Sequence, residues 1–103
     1  MQQFDIVENL NPISRSRYPF AILLQHSRVS STGTLVAAPL TMSNTALART
    51  RLHPAVRVNG RLHVVLIEEP AAVQRRLLGR VVDWAEPNRY ALIAALDLLF
   101  TGI

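Results

Sequence analysis

The sequence predicts a mainly β fold closed by one C-terminal α-helix, a small antiparallel sheet or partly closed barrel with the helix packed against it. Short apolar runs of strand length recur through the first two thirds of the chain. A hairpin signal centres on Asn59-Gly60. An apolar stripe at helical spacing fills the C-terminal stretch.

Taken in order, residues 3–8 alternate loosely and read as a first strand, with Asn9-Leu10-Asn11-Pro12 as the turn that follows. Residues 17–25 form an apolar run in which Pro19 must sit at the start or on an edge, because it cannot donate to a ladder. Residues 27–33 are polar, end on Gly33 and read as a loop. Residues 34–40 read as a buried strand closed by Pro39. Residues 41–51 are weak in pattern, with Ser43-Asn44 as a turn or helix cap.

Asn59-Gly60 suits the positive φ angles of a two-residue type I′ turn. Around it Val56, Val58, Leu62, Val64 and Leu66 fall on alternate positions and predict a buried face. Arg57, Arg61 and His63 then belong to a wet one. Residues 71–82 fit either strands or a short helix flanking a turn, since Gly79 breaks any long helix. Glu86-Pro87-Asn88 opens the terminal helix, proline being suited to its first position. Leu92, Ile93, Leu96, Leu99 and Phe100 follow as one stripe, and Gly102 stands where a helix-ending glycine belongs.

A chain of 103 residues is one domain, residues 1–103, with a modest core. Hydrophobic residues make up 50% and charged residues 17%, which argues against disorder and for extra buried surface such as a subunit interface. Without cysteine there is no disulfide and no thiolate metal site. The N-terminus has no signal-peptide pattern and no apolar run reaches a membrane span, so the cytoplasm is expected. The net charge of +4 comes from 11 Arg and no Lys. That fits a partner rich in carboxylate or phosphate, or a plain coding bias toward Arg. Arg75-Arg76 is the one adjacent pair, and there is no basic run of the nucleic-acid type. Arg15/Arg17 and Arg49/Arg51 are spaced to line one face of an extended segment.

Catalytic chemistry is hard to assemble. His26, His53 and His63 have no partner at metal-ligand spacing and read as solvated or capping residues. Glu68-Glu69, on a strand, would point to opposite faces. Asp83 and Glu86 read as helix-start residues. Neither a P-loop nor a nucleophile elbow is present. The expectation is a protein that is not an enzyme and needs no metal or cofactor.

Several pieces in constant order carry a likeness. They are Met1-Gln2-x-Phe4, Ser16-Arg17-Tyr18, Gln25, Gly33, Pro39-Leu40, Leu52-x-Pro54-x-Val56 and the ending Leu98-Leu99-Phe100-x-Gly102-Ile103. With them the chain resembles, over nearly its whole length, the CcdB toxins of plasmid and chromosomal toxin–antitoxin modules. The resemblance implies the SH3-like small barrel shared by CcdB and MazF/PemK toxins. It implies a homodimer with its C-terminal helices near the twofold axis. It further implies trapping of the GyrA subunit of DNA gyrase after DNA cleavage, and silencing by a CcdA-like antitoxin with an acidic, disordered tail.

Under that resemblance Asp97, Phe100, Thr101, Gly102 and Ile103 face gyrase, with Arg28 and Val29 nearby, and Arg15 and Arg17 serve the antitoxin. The family carries Trp where Thr101 stands, Asn where Asp97 stands and paired Ile where Arg28-Val29 stand. A MazF-like endoribonuclease is the first alternative, although the Gly-x-Glu and Arg-Pro arrangement of those enzymes is missing from the N-terminal third. A CcdB-like module that only dimerises and binds antitoxin is the second.

Overall fold

The computed structural model describes residues 2–25, 33–42, 53–85 and 88–101, the last without the Thr101 side chain. Seven antiparallel strands precede one helix: β1 (Asp5–Asn9), β2 (Phe20–Leu23), β3 (Thr34–Met42), β4 (Ala55–Val58), β5 (Arg61–Val65), β6 (Ala71–Gln74), β7 (Leu78–Trp84) and α1 (Arg89–Thr101). The sheet runs β4-β5-β3-β2-β1-β7, with β6 paired to β3. It curls into a half-barrel, so that β4 approaches β7 from the opposite edge. The expected mainly β fold with a C-terminal helix is the observed one.

β3 is longer than the sequence suggests. Residues 34–37 pair with β6, residues 37–39 with β2 and residues 40–42 with β5. Pro39 does not close the strand; it sits where one edge of β3 passes from β6 to β5, at the place where a missing N–H is least needed. β2 likewise begins at Phe20, immediately after Pro19, whose carbonyl accepts from Asn9 N at 2.9 Å.

The central strands are buried on both faces, which explains their continuous apolar runs. Ile6, Ile22, Ala38 and Leu40 enter one core with Val56, Val58, Leu92 and Ala95. Val7, Ala21, Leu23, Leu35 and Ala37 enter a second, smaller core with Leu78, packed by Val73. Residues 71–82, left open between strand and helix, resolve into β6, a single 3-10 turn at Arg75–Leu77, and β7.

The Asn59-Gly60 turn is present, with φ of 51° and 83°. Its two faces differ from expectation. A two-residue turn pairs Val58 with Arg61, Arg57 with Leu62 and Val56 with His63, and directly opposed residues share a face. His63 therefore joins Val56 on the buried side, at 2% exposure, with its ring edge-on to Phe20 at 5.7 Å. Its Nδ1 lies 3.0 Å from the Arg61 carbonyl. Leu62 is half-buried beside exposed Arg57. Val64, on that same face, is buried as well. Other polar residues also find structural roles. Asp83 lies in β7 rather than at a helix start, where its Oδ2 accepts from Asn59 N at 2.9 Å and so draws the hairpin toward the far edge. Glu68 and Glu69 lie in a turn, and Glu68 Oε1 contacts His53 Nε2 at 2.8 Å.

In α1 the core-facing stripe is narrower than the sequence suggests. Leu92 and Ala95 are fully buried, Ile93 and Leu96 pack on the core from its margin, and Phe100 stands 75% exposed. The N-terminal turn anchors the helix start: Phe4, at φ 69°, is fully buried, and the Arg89 guanidinium lies 5.6 Å from its ring centroid. The expected turn or cap at Ser43-Asn44, the pair Arg49/Arg51, His26, the 27–32 loop and Glu86-Pro87 lie outside the described residues.

The register of β1 against β7 shifts twice, between Ile6 and Val7 and between Val7 and Asn9. Gly79 sits in the second shift, where an added Cβ would come 2.8 Å from the Glu8 Cβ and 3.2 Å from Leu10 Cδ2. Because the nearest atom is one bond from backbone, Gly79→Ala should lower unfolding free energy by about 1–3 kcal/mol, read as a fall in the urea midpoint.

Candidate functional site

The expected site residues fall into two groups at different places in the fold. The first is the end of α1. Asp97 and Phe100 are exposed on its last turns, and Thr101 is its final residue. Gly102 and Ile103, with Arg28 and Val29, lie outside the described residues. Phe100 gains nothing from its own chain's core, although an aromatic side chain is among the largest apolar surfaces a residue can bury. Tyr90, on the first turn, is 88% exposed as well. The helix thus carries apolar surface that this chain does not cover.

The second group is the turn from Asn11 to Tyr18. Arg15 and Arg17 do not lie on an extended segment. Arg15 N donates to the Asn11 carbonyl at 2.9 Å, Arg17 N to that of Ser14 at 3.1 Å, and Tyr18 N to Ser14 at 2.8 Å. The chain here coils tightly, because asparagine side chains replace ladder bonds with local ones. Asn9 Oδ1 accepts from Asn11 N at 3.0 Å, while its Nδ2 donates to Ser14 Oγ at 3.0 Å and to the Tyr18 carbonyl at 2.7 Å. Asn11 Oδ1 accepts from Ile13 N at 2.9 Å.

Both guanidinium groups project from this turn into solvent. That of Arg17 lies 5.3 Å from the Tyr18 ring centroid. Ile13, at the tip, is 89% exposed. Sequence reasoning did not single out Asn9, Ile13 or Tyr18 as part of this feature. The available signal was the Asn-x-Asn-Pro spacing that ends β1, an Asx-turn pattern.

Beside the turn, a cavity of about 210 Å³ opens on the second core. Its floor is made of small residues, Ala21, Ala37, Ala38 and Pro39, and Tyr18 forms part of its wall. Among the described residues there is no cluster of three or more potential metal ligands, and no helix is long and apolar enough to cross a membrane.

These features define a class: a curled antiparallel half-barrel with one C-terminal helix, whose accessible features are an apolar helix surface and an arginine-bearing turn. The family model described as CcdB protein matches residues 3–102. The chain belongs to the CcdB family and is a toxin of the toxin–antitoxin kind. No curated protein matches it.

Asn9 satisfies three groups of the turn with one side chain. Asn9→Ala should cost about 1–3 kcal/mol and speed amide hydrogen exchange across residues 11–18 while leaving the hairpin protected, as read by residue-resolved exchange.

Proposed function

We propose that the chain is a homodimeric, cytoplasmic gyrase poison that acts through the C-terminal end of α1. It traps the GyrA subunit of DNA gyrase on cleaved DNA and is neutralised by a CcdA-like antitoxin with an acidic tail. The observation that carries this reading is the exposure of Phe100 on the last turns of the helix, in a chain of the CcdB family. Asp97, Phe100, Thr101, Gly102 and Ile103 form the gyrase-facing surface, with Arg28 and Val29 beside it. The uncovered apolar surface of α1 supports a second copy as neighbour. Exposed Arg15 and Arg17 suit a carboxylate-rich tail through charge-assisted hydrogen bonds.

Thr101 stands where the family has its tryptophan, which favours a second reading in which the chain dimerises and binds antitoxin without poisoning. Growth of a sensitive host expressing the chain without antitoxin separates the two. Poisoning gives arrest and, with purified gyrase, trapped cleavage complexes; the second reading gives neither. Under the poison reading, deleting Gly102 and Ile103 leaves the unfolding transition in place and removes growth arrest. Restoring the ring with Thr101→Trp strengthens trapping by about tenfold or more, the scale of an aromatic anchor at an interface centre. Antitoxin affinity falls steadily as salt rises from low to physiological strength, measured by calorimetric titration, because exposed charge pairs are screened.

A further inference from the structure

Asp83 and Asn88 tie the seam of the half-barrel, where the β4–β5 hairpin approaches the β7 edge. Asp83 Oδ2 accepts from Asn59 N at 2.9 Å, and Asn88 Nδ2 donates to the Ala55 carbonyl at 3.1 Å. The Asp83 tie therefore runs through the Asn59-Gly60 turn. Asn59 is the one asparagine of the chain that is followed by glycine. Both turn residues are exposed, and a Cβ built on Gly60 would meet nothing within 4 Å. Among the described residues, neither the Asn59 side-chain amide nor Gly60 N has a hydrogen-bond partner. Arg57 Nη1 donates to the Gly60 carbonyl at 3.2 Å, which brings a cation close to that unengaged nitrogen.

We infer that Asn59 is a site of spontaneous covalent modification, and that its conversion releases the hairpin from β7. Gly60 N gives up its proton to the solvent and attacks the side-chain carbonyl carbon of Asn59. The new bond closes an imide ring, the bond from Cγ to Nδ2 breaks, and the amide nitrogen leaves as ammonia. Water then opens the imide. Opening at the former side-chain carbonyl gives aspartate, and opening at the backbone carbonyl gives isoaspartate, with the chain running through Cγ. Glycine suits the attack because it has no Cβ to shield its nitrogen, and the Arg57 cation favours loss of the proton. Either product carries a carboxylate where a neutral amide stood, next to the Asp83 carboxylate that holds Asn59 N. Like charges in one site repel, so the tie weakens. Isoaspartate also adds an atom to the main chain, which a two-residue turn cannot absorb while keeping Val58 opposite Arg61. Buried Val56, Val58 and His63 ride on this hairpin, so its release loosens the seam as well as the turn.

The test uses the intact chain, with neither gyrase nor antitoxin present. The folded chain is held in mildly alkaline buffer at physiological temperature, then digested for mass spectrometry, with isoaspartate read by enzymatic methylation. Asn59 should gain about one dalton while Asn9, Asn11 and Asn88 keep their mass. Asn59→Gly, which still suits the turn, should abolish the gain. Conversion at Asn59 no faster than at Asn88 would overturn the assignment. The release is read on Asn59→Asp, which carries the new charge without the extra chain atom. Amide hydrogen exchange across β4 and β5 should rise by about tenfold over the parent, the scale of losing one hydrogen bond to a charged group, with β1 and β2 still protected. In an Asp83→Asn background the same substitution should change exchange far less, as a double-mutant cycle measures. An unchanged hairpin in Asn59→Asp, or equal effects in the two backgrounds, would overturn the release.

Discussion

The change of partner along β3 organises the molecule. One strand hydrogen-bonds to β6 through its first half and to β5 through its last residues, while β2 holds the opposite edge. The partner on the β6–β5 edge changes across Ala38–Pro39, and the whole sheet curls into a half-barrel. Proline at the changeover removes one donor from the ladder at the residue where the pairing is interrupted, and its carbonyl still accepts from Leu66 N at 3.0 Å. Alternation along β1, β2 and β3 divides their apolar residues between two cores, one on each face of the sheet. The helix and hairpin cover one of them with large side chains, and the other is floored by alanines and stays partly open.

What could be read from sequence was what is local. The Asn59-Gly60 turn depends on two residues tolerating positive φ, and it is where the sequence puts it. The faces around it were misread because alternation was carried straight through the turn. In a two-residue hairpin, paired positions sum to a constant odd number, so the buried face changes parity from one strand to the next. His63 takes the core position that Leu62 was expected to hold. β6 and β7 were ambiguous because their partners, β3 and β1, are distant in sequence and nothing within residues 71–82 names them. For α1, periodicity gave the face but not how far along it the core extends. Leu92 and Ala95 meet the sheet, and Phe100 lies beyond it.

The candidate sites show the same division. Arg15 and Arg17 were legible as a pair, but the coil that presents them is held by Asn9, which the sequence shows only as a turn former. Arg75 and Arg76 were visible as the one doublet in the chain. The 3-10 turn that carries them lies against the end of β1, where Leu10 N donates to the Leu77 carbonyl at 2.8 Å, and that adjacency follows from the β1–β7 register, which no local pattern encodes.

Energetics explain why these groups are available to partners. An exposed ion pair contributes about 0–1 kcal/mol, so folding places little demand on where the arginines go or whether they find carboxylates. Burying a large apolar side chain is worth about 1.5–3 kcal/mol, which the isolated chain does not collect at Phe100. The two surfaces therefore hold different kinds of unspent interaction. The helix end offers apolar burial, which salt does not screen, and the arginine-bearing turn offers Coulombic attraction, which it does. The helix end and the arginine-bearing turn thus differ in chemistry: the first presents Phe100 as uncovered apolar surface, the second presents Arg15 and Arg17 as exposed charge.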